Sequence, residues 1–128
     1  MNFICKQLTI DDGGDFGCTI EFSDTIGKSQ ENQSLTDLLY RKDKYFLVQR
    51  YYPEDFDEDD IYEVETTESD LELSYKDKLY FELNPERVRI SMAHEVITIG
   101  LNLDQEEYKG LKKIINRKFK DFIVLLKD

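Results

Sequence analysis

Arg87-Val88-Arg89-Ile90-Ser91-Met92, the short link Ala93-His94-Glu95, and Val96-Ile97-Thr98-Ile99-Gly100-Leu101-Asn102-Leu103 running into Asp104 decide the fold. Val88, Ile90 and Met92 alternate with Arg87, Arg89 and Ser91, while Ile97, Ile99, Leu101 and Leu103 alternate with Thr98, Gly100 and Asn102. A period of two sends each set to its own face of a pleated strand. The link is too short for a helical crossover, so the two strands pair antiparallel with one face on a core. After Asp104 the period changes. Asp104 can cap a helix, Glu106 and Glu107 sit where the helix dipole favours acids, and Tyr108, Leu111, Ile115, Phe119 and Phe122 recur at three- and four-residue steps. Lys109, Lys112, Lys113, Arg117, Lys118 and Lys120 fill the remaining positions. The expectation is an amphipathic helix whose stripe packs on the apolar face of a sheet. Residues 122–126 read equally as the end of that helix or as a final strand.

Working outward, Leu79 to Leu83, Leu71 to Tyr75 and Ile61 to Glu65 alternate in the same way, and Asn84-Pro85-Glu86 is a turn. Lys44 to Tyr52 reads as a strand ended by Pro53, and as an unpaired edge that could support a dimer. Phe3 to Ile10 and Phe16 to Phe22, separated by Asp11-Asp12-Gly13-Gly14-Asp15, read as an opening hairpin. Ser23 to Gln33 reads as a loop, and Ser34 as the cap of a short helix over Leu35 to Lys42. The fold class expected is α+β, a single domain over residues 1–128: an antiparallel β-sheet meander with a C-terminal amphipathic helix on one face. A hydrophobic share of 40% and an aromatic share of 12% suit a chain that buries a core.

The charge is local. Residues 51–75 hold eleven carboxylates and no Lys or Arg, while the rest of the chain holds seventeen acids against seventeen bases, so the net −11 resides in this stretch. A concentrated negative field steers a basic surface toward it. Direct binding to nucleic acid or to an anionic membrane is disfavoured, because phosphates reward Lys and Arg clusters. The N-terminus lacks the basic and apolar regions of a signal peptide, so a cytoplasmic protein is expected. Cys5 and Cys18 are too few for a disulfide scaffold or a zinc site and read as free thiols, with a cross-strand pair as the alternative.

No catalytic constellation emerges. Asp55, Asp57 and Asp59 alternate as in a calcium loop, but the position that needs Gly is Asp60 and the position that needs a bidentate Glu is Thr66. His94 is the only histidine and has no neighbouring nucleophile. Gly-rich phosphate loops, HExxH, CxxC and Gly-x-Ser-x-Gly are all missing. We expect no enzyme, no metal and no cofactor. The expected site is instead a partner surface: Glu54, Asp55, Asp57, Glu58, Asp59 and Asp60 with the aromatic residues Tyr52, Phe56 and Tyr62, since aromatic anchors ringed by charge are a common interface composition. For Tyr62 the core of a short strand is the competing reading.

Gln33-Ser34-Leu35, Tyr45-Phe46-Leu47-Val48, Leu79-Tyr80-Phe81-Glu82-Leu83 and Ile97-Thr98-Ile99, followed by the helix that begins near Asp104 and includes Leu111, resemble in order and character the immunity proteins of bacterial polymorphic toxin systems. The likeness is nearest to the group known as immunity protein ten, and Glu68-Ser69-Asp70 stands where that group carries a Gly-Gly turn. The resemblance implies a protein that neutralises a cognate toxin domain by occluding it, here with an acidic surface against a basic cleft. Three readings compete with it. One is an acidic nucleic-acid mimic or general interaction module. Another is an enzyme with a carboxylate site. In the third the acids merely solvate a loop and another face binds, such as the strand face of Arg87 and Arg89. The oligomeric state is left open by the sequence.

Overall fold

The computed structural model describes residues 2–13, 17–25, 44–51, 61–67, 70–73, 78–92 and 95–126. Among them ten strands and one helix follow in the order β1 (Asn2–Ile4), β2 (Gln7–Asp12), β3 (Gly17–Ser23), β4 (Tyr45–Tyr51), β5 (Ile61–Thr66), β6 (Asp70–Leu73), β7 (Leu79–Asn84), β8 (Arg87–Met92), β9 (Glu95–Gly100), α1 (Gln105–Lys118) and β10 (Ile123–Leu126). The class is α+β, as expected. The single sheet is corrected to two: sheet A, ordered β1-β9-β8-β7-β10, and sheet B, ordered β2-β3-β4-β5-β6.

Sheet B is an antiparallel meander throughout, and β7-β8-β9 form a second one inside sheet A. The expected pairing of β8 with β9 is present, with Ile90 opposite Ile97 and Val88 opposite Ile99. The outer strands of sheet A depart from the antiparallel expectation, because β1 lies parallel to β9 and β10 parallel to β7. Neither is joined to its neighbour by a turn, so local sequence carries no signal for either pairing. Over residues 122–126 the strand reading holds, as β10, and the helix stops at Lys118.

The expected first strand, Phe3 to Ile10, is two strands in different sheets. The Cys5 amide donates to the Gly100 carbonyl at 2.8 Å in sheet A, and the next amide, Lys6, donates to the Ser23 carbonyl at 2.7 Å in sheet B. The chain therefore changes sheets between adjacent residues. β2 then pairs with β3 as the expected hairpin, with Ile10 opposite Ile20. The edge strand expected at Lys44 to Tyr52 is β4, which is central in sheet B and paired on both sides, so it offers no free edge for a dimer.

One buried cluster joins both sheets and the helix. Ile20, Phe22, Phe46, Val48 and Val64 come from sheet B, Phe81, Ile90, Ile97 and Ile99 from sheet A, and Leu111, Ile115, Phe119 and Phe122 from α1 and the turn after it. Phe46 meets Phe81 edge-on with ring centres 6.4 Å apart, a direct contact between the sheets. The helical stripe is buried as its spacing predicts, with Tyr108 half-buried and its hydroxyl donating to the Leu83 carbonyl at 3.4 Å. Asp104 forms a full capping box: its carboxylate accepts from the Glu107 amide at 2.8 Å, and its own amide donates to the Glu107 carboxylate at 3.2 Å.

The C-terminal end of α1 is held by sheet B. Arg50 donates from a guanidinium nitrogen to the Lys118 carbonyl at 2.6 Å, satisfying a helix-end acceptor with a cation where the dipole is negative. The same guanidinium lies 5.9 Å from the centre of the Tyr62 ring. Tyr62 in turn stacks on Phe122 at 4.4 Å between ring centres. The short helix expected at Leu35 to Lys42 lies outside the described residues.

Candidate functional site

The outer face of sheet B joins acids of the 51–75 stretch to acids from elsewhere in the chain. With Cys18, Ile20 and Phe22 turned to the core, the opposite positions follow from the register: Thr9, Glu21, Leu47, Glu65 and Asp70 form one row across the sheet, and Asp11, Thr19, Gln49, Glu63 and Glu72 the next. Six of those ten positions are Asp or Glu and none is Lys or Arg. Two of the acids, Asp11 and Glu21, come from β2 and β3, far from the acidic stretch in sequence. Sequence reasoning missed them because each strand alone carries one acid per face, and only the register assembles them.

At one side of this face the register sets Glu63 opposite Glu72 and Glu65 opposite Asp70. Like charges directly opposite on antiparallel strands are destabilising, whereas opposite charges stabilise by about 0.2–1 kcal/mol. Glu63→Lys is therefore expected to raise stability by about 0.5 kcal/mol, read from the midpoint of urea unfolding at low salt. A loss of stability would mean that these strands do not hold this register.

The structure divides the expected partner-binding residues. Tyr62 is not an exposed anchor: it is 2% exposed, turned to the core side of β5 and stacked on Phe122, so the competing core reading is correct. Tyr51, the neighbour of Tyr52, is exposed at the end of β4, with its hydroxyl donating to the Gln49 side chain. Tyr52, Glu54, Asp55, Phe56, Asp57, Glu58, Asp59 and Asp60 lie outside the described residues, as does His94. The flanking residues Tyr51 and Ile61 stand opposite one another on β4 and β5.

The two cysteines do not face each other. Cys18 stands between Asp12 and Arg50 on the core side of sheet B, and Cys5 lies at the step between the sheets with its thiol donating to the Gln7 carbonyl at 3.2 Å. Burial pushes both thiols above their ordinary range, and the Asp12 carboxylate adds to the effect at Cys18. A thiol raised in this way is a poor nucleophile at neutral pH. Among the described residues no group of three or more His, Cys, Asp or Glu side chains is arranged to hold a metal ion, and no helix is long and apolar enough to cross a membrane.

Sheet A presents a different outer face. Arg87 and Arg89 are exposed there and, among the described residues, make no ion pair or hydrogen bond. Ile4, Tyr80, Val96 and Leu126, all exposed, share that face by register. One sheet face is thus dominated by carboxylates, while the other mixes exposed apolar side chains with Arg87 and Arg89 and with the polar positions Glu82, Ser91 and Thr98, Glu82 standing opposite Arg89. Comparison with known family models, with characterised proteins and with solved structures finds no match to this chain.

Proposed function

We propose that this chain is a non-catalytic binding protein that offers the carboxylate face of sheet B to a basic surface of one protein partner, in the manner of the toxin-neutralising immunity proteins it resembles. The observation that carries the reading is the register of β2, β3, β4 and β5. That register gathers Asp11 of β2, Glu21 of β3 and Glu63 and Glu65 of β5 on one face, and a partner of complementary potential is steered to such a surface. In the sequence, residues 52–60 add six more acids together with Tyr52 and Phe56, aromatic residues of the kind that slow dissociation.

The test begins with the open reading frame immediately upstream in the source genome. Its C-terminal domain, produced with and without this chain, is expected to arrest bacterial growth alone and to be silenced by formation of a one-to-one complex. If that product neither binds nor is toxic, the immunity reading is wrong. An acidic nucleic-acid mimic would instead inhibit several unrelated DNA-binding proteins, because mimicry of phosphate charge discriminates poorly among them.

A second docking reading has its own support. Arg87 and Arg89 are unpaired among the described residues, and they share a face with Tyr80 and Val96, a composition typical of interface anchors. In that case the partner surface would be acidic, and the carboxylates of sheet B would serve only solubility.

A further inference from the structure

Among the described residues the two five-stranded sheets leave four edges, and three of them carry a feature that discourages another strand from adding. β1 is only three residues long, and the Lys44 ammonium donates to its Asn2 carbonyl at 3.5 Å. β2 ends in Asp11 and Asp12, and β6 carries Asp70 and Glu72. Charges, lysine above all, and short length are the usual guards of a sheet edge. β10 has no such charge. Its sequence is Ile123-Val124-Leu125-Leu126, it pairs only with β7 among the described residues, and Leu126 is 39% exposed.

We propose that β10 docks on β10 of a second copy of this chain, antiparallel about Val124, so that two sheets A become one continuous sheet across a two-fold axis. The strand is complementary to itself in that register. Residues directly opposite one another share a face. Val124 then meets its own mate on the outer face, and Ile123 meets Leu125 of the second copy on the core side, where both already pack in each protomer. The apolar inner surface runs on across the junction without a break.

The excess charge at the two ends of the strand is compatible with the same arrangement. Lys78 and Lys120 are exposed beside the start of β10, where they outnumber the one acid, Asp121, whose carbonyl accepts from the Lys78 ammonium. Glu82 stands opposite Leu126 at the other end. Antiparallel docking brings Lys78 and Lys120 of each copy toward Glu82 of the other, twice per dimer, although Glu82 also stands opposite Arg89 of its own sheet. The carboxylate face belongs to sheet B, and β10 itself carries no acid to oppose the meeting of two copies.

Four-residue edges bury far less than the roughly 1,600 Å² of a standard stable interface, so the dimer is weak and depends on concentration. Sedimentation equilibrium from about 1 μM to about 1 mM should show the average mass rising from that of the monomer toward twice that value. Leu126→Lys places a lysine on the edge at an exposed position and should keep the protein monomeric over the same range. Hydrogen exchange of the unmodified protein supplies a measure that needs no variant: the β10 amides pointing away from β7 should exchange more slowly as concentration rises. A monomer at every concentration, a dimer unaffected by Leu126→Lys, or concentration-independent exchange in β10 would each overturn the proposal.

Discussion

Gly17→Ala is expected to remove about 3–4 kcal/mol of stability, while the same substitution at Gly110 is expected to add about 0.5–1 kcal/mol. Gly17 has φ of +140°, a region that residues with a β-carbon rarely adopt, and a β-carbon there would stand 2.0 Å from the Arg50 carbonyl oxygen. That oxygen belongs to the backbone of the paired strand β4, so no side chain can swing aside to make room. Displacing β4 at this point also pulls on the Arg50 guanidinium that holds the end of α1. Gly110 is the opposite case. It lies on the exposed side of α1, and an alanine methyl at that position would meet nothing within 4 Å, so the substitution gains helix propensity and loses no contact. Urea unfolding of the two variants beside the parent protein gives both signs; a harmless Gly17→Ala would mean that β3 and β4 do not approach in this way.

Phe81→Ala should cost about 3–5 kcal/mol, the range for deleting a fully buried ring from a core that cannot collapse around the void. Phe81 is completely buried on β7, and its edge contact with Phe46 of β4 spans the two sheets, with Phe22 of β3 a further 6.4 Å beyond Phe46. The cycle made with Phe46→Ala isolates that contact. A coupling of about 0.5–1.5 kcal/mol between the two substitutions is expected if the sheets share one core. Strict additivity would show that each ring stabilises its own sheet independently.

These two sites also show what the sequence reveals and what it hides. Alternation over Arg87 to Met92 and Val96 to Leu103 is a local signal, the link between them is local, and the resulting pair of strands is present, the second running from Glu95 to Gly100 and ending short of Leu103. The capped helix after Asp104 is equally local, since the capping box and the apolar stripe lie within one element. The division into two sheets is not local. Phe3 to Ile10 has the composition of one strand, and only hydrogen bonds from Cys5 to Gly100 and from Lys6 to Ser23, both distant in sequence, split it. β1 and β10 pair parallel with strands to which no turn connects them, so period and turn chemistry say nothing about their place.

The candidate site divides in the same way. The excess of acid over residues 51–75 is plain in the sequence, but its extension to Asp11 and Glu21 depends on a register that crosses five strands. Tyr62 is ambiguous in the sequence for a physical reason. An alternating strand carries an aromatic residue on either face with equal ease, and which face is buried is decided by Phe122, far along the chain. Glu63 and Glu65 flank Tyr62 and Val64 on the opposite side of the same strand, so β5 supplies both the core and the acidic face.

The most direct test of the central claim compares the two sheet faces in one complex. The affinity of the upstream-encoded domain for this chain is measured by calorimetry from about 50 to 200 mM salt, for the parent protein, for Glu63→Lys with Glu65→Lys, and for Arg87→Glu with Arg89→Glu. The account predicts binding that weakens as salt rises, a loss of at least about tenfold on reversing the two glutamates, and little change on reversing the two arginines. Affinity that is indifferent to salt and to the glutamate pair, yet lost with the arginine pair, would contradict it and move the binding face to sheet A.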